Sequence, residues 1–367
     1  MNTDTMTDDD LIADSVARLF GDQVDKATRE RAETGVFDHA LWQQVVDAGL
    51  PLMLAGEAAG GLGQDLAAAY PVLRGLGHWQ VPLPLAETML AAQLLSHAGL
   101  PVPDPAEGPL TLIEQGQGNA LQARADGNAL FVSGAAHRVP WARHAQAAVL
   151  SMTDGRLALL DLRGTPGITL QPHANPAGLP SDTLVMTDAR CSVVAAHGQP
   201  WRQPVWTLGA AARCAMMVGA LEWALAQTVT YAGERVQFGK PIGRNQAIQQ
   251  NLALMAGDVA AARMAALVAA ADLSGPDAHA GLFSTAVAKV RCGEAATRGT
   301  GIAHQVHGAI GFTHEHALHF ATKRLWSWRE EFGSDAFWAA ELGRAAIAER
   351  AAGFWPALSA KHFNALT

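Results

Sequence analysis

Three long apolar runs in the second half of the chain do most to limit what it can fold into. They are "LGAAARCAMMVGALEWALAQTVTYAGERVQFG", "NQAIQQNLALMAGDVAAARMAALVAAADLSG" and the stretch from Ala286 to His304. Apolar residues recur in them at helical spacing for far longer than an average helix. Alanine dominates, and alanine costs least in a helix interior. Helices of this kind bury their apolar faces against one another, often across a subunit boundary.

The texture is different between about Pro109 and Gln199. "NALFVSGAAHRVPWARHAQAAVLSM", "RLALLDLR", "GITLQPH" and "DTLVMTDARCSVVAA" are short β-prone runs separated by Gly, Pro, Asn and Asp, the pattern of an antiparallel sandwich or barrel. Upstream, "DDDLIADSVARLF" places Leu11, Val16, Leu19 and Phe20 on one helical face behind an acidic first turn. "DHALWQQVVDAGL" does the same with Leu41, Trp42, Val45 and Val46, and a later helix stops at Gly99 and Pro101. The expected architecture is mainly α with a central β domain: helices over 1–108, β over 109–199 and helices over 200–367.

A net charge of −8 argues against a nucleic-acid surface or an anionic membrane as partner. The three cysteines, Cys191, Cys214 and Cys292, are widely spaced and give neither a disulfide framework nor a zinc pattern. The N-terminus is acidic without an apolar signal-type core, and no run of eighteen apolar residues suggests a membrane span. The cytoplasm is the expected location.

Three motifs carry the chemistry. In "ERVQFGKPIGRNQ", Arg235 offers a fixed planar donor fork suited to a pyrophosphate, although the same residues also make a helix end at Gly239 and Pro241. In "QVHGAIGFTHEHALHF", Gly308 lets backbone N–H groups come close to a ligand, and it equally makes a plain turn between two helices. His314, His316 and His319 follow, but no Cys or carboxylate completes a metal spacing with them, so no metal is expected. "REEFGSD" offers Glu330 and Glu331 as acids, or a solvated helix start with dipole-favoured charges.

Taken with "LWQQVVDAGLPLMLAGEAAGGLG", these motifs in this order make the chain resemble the acyl-CoA dehydrogenase family of flavoproteins over essentially its whole length. The resemblance implies an N-terminal helical domain, a central β domain and a C-terminal four-helix bundle, with each FAD shared by two subunits. It implies α,β-desaturation of an acyl-CoA thioester: a carboxylate removes the α proton and the β hydrogen leaves as hydride to the flavin. It assigns Arg235, Gln237, Phe238 and Gln246 to the FAD, with Gln305 and Gly308 near its phosphates and Ser334 in the site. Electron-transfer flavoprotein or a similar acceptor would take the electrons.

The family base is often a Glu before Gly-Thr, and a gapless count from Gln305 lands on Phe332, followed by Gly333 and Ser334. A one-residue deletion would bring in Glu331, the expected base; Glu330, and Asp272 on the helix after the "QFG" motif, are the alternatives. The family's Thr-Glu-Pro loop is replaced by "TLIEQGQGNALQARADG". "SGAAHRVPWARHA" stands for its Lys-Trp-Ile strand, with Trp141 as a stand-in for the missing Trp. These departures resemble a divergent branch acting on bulky or sterol-derived acyl-CoAs, in which one subunit carries the base and another completes the shared FAD site. The assembly is then a homo-oligomer or a heterotetramer with a sister chain.

Overall fold

The structure, a computed structural model, describes residues 8–126, 129–237 and 239–366. Helices α1 (Asp8–Gln23), α2 (Lys26–Glu33), α3 (His39–Asp47), α4 (Leu66–His78) and α5 (Leu85–His97) come first. Eight strands follow: β1 (Leu110–Glu114), β2 (Leu121–Asp126), β3 (Ala129–Pro140), β4 (Ala147–Ser151), β5 (Arg156–Asp161), β6 (Ile168–Gln171), β7 (Ser181–Cys191) and β8 (Val193–Ala196). The chain continues through α6 (Pro204–Glu234), the short hairpin β9 (Val236–Gln237) and β10 (Lys240–Pro241), and α7 (Gln246–Ser274). It ends with α8 (Ala278–His307), α9 (Leu318–Glu330) and α10 (Asp335–Ala360).

Two compact units divide these elements. One contains residues up to Arg29, Leu66–Val81 and the chain from Ala210 onward; the other contains Glu30–Asp65 and Pro82–Gly209. The N-terminal helices are therefore shared out, α1 and α4 joining the C-terminal helices while α3 and α5 join the strands. Backbone packing shows why α4 belongs with α6. A Cβ on Gly77 would sit 1.7 Å from the Met216 carbonyl oxygen, and one on Gly219 1.9 Å from that of Arg74. The two backbones meet where neither helix has a side chain. Gly77→Ala is expected to destabilise this unit by about 1–3 kcal/mol through overpacking, read as a lower urea midpoint.

In the second unit, one sheet runs β1-β4-β5-β8 and the other β2-β3-β7-β6. The β1/β4 pair is parallel, whereas β4/β5 and β3/β7 are antiparallel. Their inward residues, among them Val132, Leu150, Leu160 and Leu184, form one core cluster, so the β region is a sandwich. Every residue of β1 is buried, because α5 lies over it: Thr88 Oγ1 accepts from Leu110 N at 3.0 Å. Helix α3 starts at Asp38, whose side chain accepts from Leu41 N at 3.0 Å, and buries Leu41, Trp42 and Val45 as its periodicity implies.

By length and composition, α6 and α7 are each apolar enough to cross a membrane, a test that the core helix of a bundle also passes. The apolar window of α6 is 83% buried, as in a core helix, while that of α7 is 33% buried. Leu254 and Met264 stand exposed on α7.

Candidate active site

Helix α6 ends where Arg235 N donates to the Tyr231 carbonyl at 2.8 Å, and the chain then turns through β9 and β10 with Gly239 at φ 77°. Arg235 and Gln237 are exposed, and Arg235 forms no ion pair among the described residues. Phe238 lies outside the described residues. Gln246 is exposed in the first turn of α7. This segment thus presents a cation and two amides to the outside of its unit, a donor set that suits a diphosphate.

Helix α8 ends at Gly308, whose φ of 63° and ψ of −144° only glycine adopts readily. Its N–H closes back on the His304 carbonyl, and open space surrounds the place where a Cβ would be. Gln305 and Gly308 line a cavity of about 540 Å³ with Thr300, Gly301, His304, Phe312 and Trp326. That volume is in the range of sites for a nucleotide-sized ligand. The adjacent histidines stack rather than converge on a point: His307 on Tyr231 at 4.5 Å, His316 edge-on to His307 at 4.6 Å and His304 on Phe312 at 4.2 Å.

The expected base, Glu331, is held by two partners. Arg213 Nε donates to Glu331 Oε2 at 2.6 Å and Ser327 Oγ to Oε1 at 2.9 Å, so both carboxylate oxygens are engaged. The Arg213 side chain is 4% exposed and that of Glu331 20%. Burial alone would raise the Glu331 carboxyl, but Arg213, Ser327 and Lys289 overcome this and hold it below the usual value. A carboxylate held in this way accepts a proton poorly. Lys289 is itself buried and donates to the carbonyls of Trp328, Arg329 and Glu331 at 3.1, 3.1 and 2.7 Å, closing the C-terminal end of α9. Burial pushes its ammonium down to about 8.

Phe332 follows at φ 54° with its ring 5.4 Å from the Arg213 guanidinium, and Gly333 continues at φ 90°. Ser334, expected near the flavin, caps α10 by accepting from Phe337 N at 3.2 Å. The Glu330 side chain is 56% exposed and has Arg329 3.8 Å away. Asp272 accepts from Lys361 at 2.5 Å and also from Ser284. Each candidate acid has a cation within its own unit, closest for Glu331 and Asp272 and most exposed for Glu330.

In the β unit, Trp141 does not present a face to a ligand. It is 4% exposed and packs edge-on to Phe37 at 6.2 Å. Glu114, at the end of β1, escaped the sequence reading. It accepts from Trp206 N at 2.9 Å at the start of α6, and burial pushes its carboxyl up to about 8. Arg213 and Lys289 were missed as well, although lone cations inside alanine-rich helical runs are a visible sign of buried partners.

The chain matches known proteins over most of its length. Residues 6–101 match the acyl-CoA dehydrogenase N-terminal domain and residues 201–347 the acyl-CoA dehydrogenase C-terminal domain. The chain is 30% identical over 317 residues to acyl-CoA dehydrogenase IpdE2 of Mycobacterium tuberculosis, covering 86% of this chain and 88% of that protein. Acyl-CoA dehydrogenase FadE27 of the same organism is 31% identical over 307 residues, covering 77% and 81%. A variant of the Tcur3481-Tcur3483 steroid ACAD has a TM-score of 0.84 at 25% identity, covering 93% of this chain and 98% of that one. The ChsE4-ChsE5 complex from Mycobacterium tuberculosis shares the fold, with a TM-score of 0.82 at 24% identity and coverage of 95% and 99%. The chain belongs to the acyl-CoA dehydrogenase family and is an oxidoreductase acting on acyl-CoA.

Proposed function

We propose that this chain works in FAD-dependent α,β-desaturation of a bulky acyl-CoA thioester as one subunit of a heteromeric enzyme, in which a sister chain supplies the base. The observation that carries this reading is the engagement of both Glu331 oxygens by Arg213 and Ser327. Phe332, at the position reached by the gapless count, has no ionisable group. The names of two similar structures, Tcur3481-Tcur3483 and the ChsE4-ChsE5 complex, pair two chains, and the first is called a steroid ACAD.

The residues present fit a flavin dinucleotide. Arg235 and Gln237 offer exposed donors for its diphosphate, Gln246 adds an amide, and Gln305 and Gly308 line a cavity of sufficient size. When bound, FAD supplies the hydride acceptor. The chain's own task is to bind and orient it, while electron-transfer flavoprotein or a similar protein takes the electrons on.

The test is a visible spectrum of the chain expressed alone and then with a sister dehydrogenase chain, followed by anaerobic addition of acyl-CoAs. Flavin retention and bleaching that need the sister chain support the proposal. A yellow chain that bleaches with an acyl-CoA by itself overturns the division of labour. Within the assembled enzyme, Arg235→Ala is expected to weaken flavin binding by about tenfold or more, as loss of a charge-assisted hydrogen bond implies. Equilibrium dialysis against FAD measures it, and an unchanged affinity rejects the assignment of Arg235.

A further inference from the structure

The end of α6 and the end of α8, which carry Arg235 and Gln305 with Gly308, are joined by one aromatic stack. The His307 ring lies on that of Tyr231 at 4.5 Å with an interplanar angle of 21°, and His316 meets it edge-on at 4.6 Å. His307 is 3% exposed and immediately precedes Gly308, so the place of this ring sets where the turn begins. Tyr231 is likewise one helical turn before Arg235, whose N–H it accepts. One contact therefore fixes both segments relative to each other.

The burial of that contact favours a neutral imidazole. Nδ1 lies 2.8 Å from the Ala303 carbonyl, which only accepts, so Nδ1 carries the proton. Nε2 is buried and has no hydrogen-bond partner. A second proton there would place an unsatisfied N–H and a charge in an apolar setting. The titratable groups around it are Tyr231 from α6, His304 on its own helix and His316 from the segment before α9. Burial holds His307 below its ordinary value, and His316 and His304 push the same way against the Ala303 carbonyl.

We propose that His307 is a positioning residue for the flavin site: neutral, it holds the Gly308 turn against α6 through Tyr231, and its protonation releases that turn, so flavin binding weakens in acid. This rests on the flavin reading given under the proposed function. The direction follows from linkage. A histidine whose folded value is lowered contributes stability that is complete above its unfolded value of about 6.5 and is lost as pH falls through the folded value.

The experiment measures FAD affinity of the full chain, in the assembly that retains flavin, from about pH 7.5 to about pH 5.5 for wild type, His307→Phe and His307→Ala. Wild type is expected to weaken severalfold as pH falls across this range, the direction that the lowered His307 value sets. His307→Phe keeps a ring for the stack but cannot titrate, so, whatever its affinity at neutral pH, that affinity should lose most of the acid dependence. His307→Ala should be weak throughout. A His307→Phe chain with the acid dependence of wild type overturns the proposal. If FAD binds at no pH, the flavin reading falls, and an NMR titration of the His307 ring in the flavin-free chain decides this inference alone. Protonation that removes the Tyr231 ring-current shift supports it; titration at the ordinary value without that change overturns it.

Discussion

Glu331→Ala is expected to remove about 3–5 kcal/mol from the stability of the C-terminal helical unit, because truncating one partner of a buried ion pair leaves the other charge uncompensated. The charge left behind is Arg213, with a side chain 4% exposed. Ser327 also loses its acceptor. Urea denaturation of the variant measures the loss, and a midpoint equal to wild type rejects the pair as a structural element. Replacing Arg213 and Glu331 together with apolar residues of similar size should recover most of the deficit, as it does where a pair supplies specificity more than stability. Glu331→Gln adds a pH test. The folded value is lowered, so the pair's contribution is present above about pH 4.5 and is lost as pH falls through the folded value. The glutamine variant should lack that acid-dependent loss. In the assembled enzyme it should also keep its turnover per bound flavin; abolished flavin reduction at full flavin content would restore Glu331 as the base.

Asp182→Ala is expected to cost the β unit a similar amount, about 3–5 kcal/mol. Asp182 is fully buried and accepts from Arg143 N at 2.9 Å, from Arg143 Nε at 3.0 Å and from His173 N at 3.0 Å. The carboxylate thus joins β7, on which it stands, to the turn after β3 and to the segment before β7. Its removal leaves two backbone donors and one guanidinium without their acceptor. Thermal unfolding monitored by near-UV circular dichroism reports this, since Trp141 and Phe37 sit beside the same turn. An asparagine at the site should lose less, because it keeps one acceptor oxygen while giving up the charge. Equal stability of the alanine variant and wild type would show that solvent satisfies these donors.

Much of the fold was legible from periodicity. Leu41, Trp42 and Val45 are buried as their spacing implies, and Val16 and Phe20 are too, although Leu11 on the same stripe is 50% exposed. The β region begins and ends close to the composition change at Pro109 and Gln199. Of the candidate site, the sequence marked Gln305 and Gly308, which share a cavity, and Arg235, which stands exposed; it did not show that Trp141 is buried or that Ser334 caps a helix.

What the sequence determined by itself is local: a face that must be buried repeats every 3.6 residues in a helix and every second residue in a strand, so spacing reveals the element. It also carried the family, because its motifs follow one another along the chain. Which charges meet was decided only by the tertiary structure. Arg213 and Glu331 are 118 residues apart, a separation that matches no periodic pattern, yet they touch at 2.6 Å. Electrostatic energy depends on distance in space and on burial, and neither is written in the order of residues.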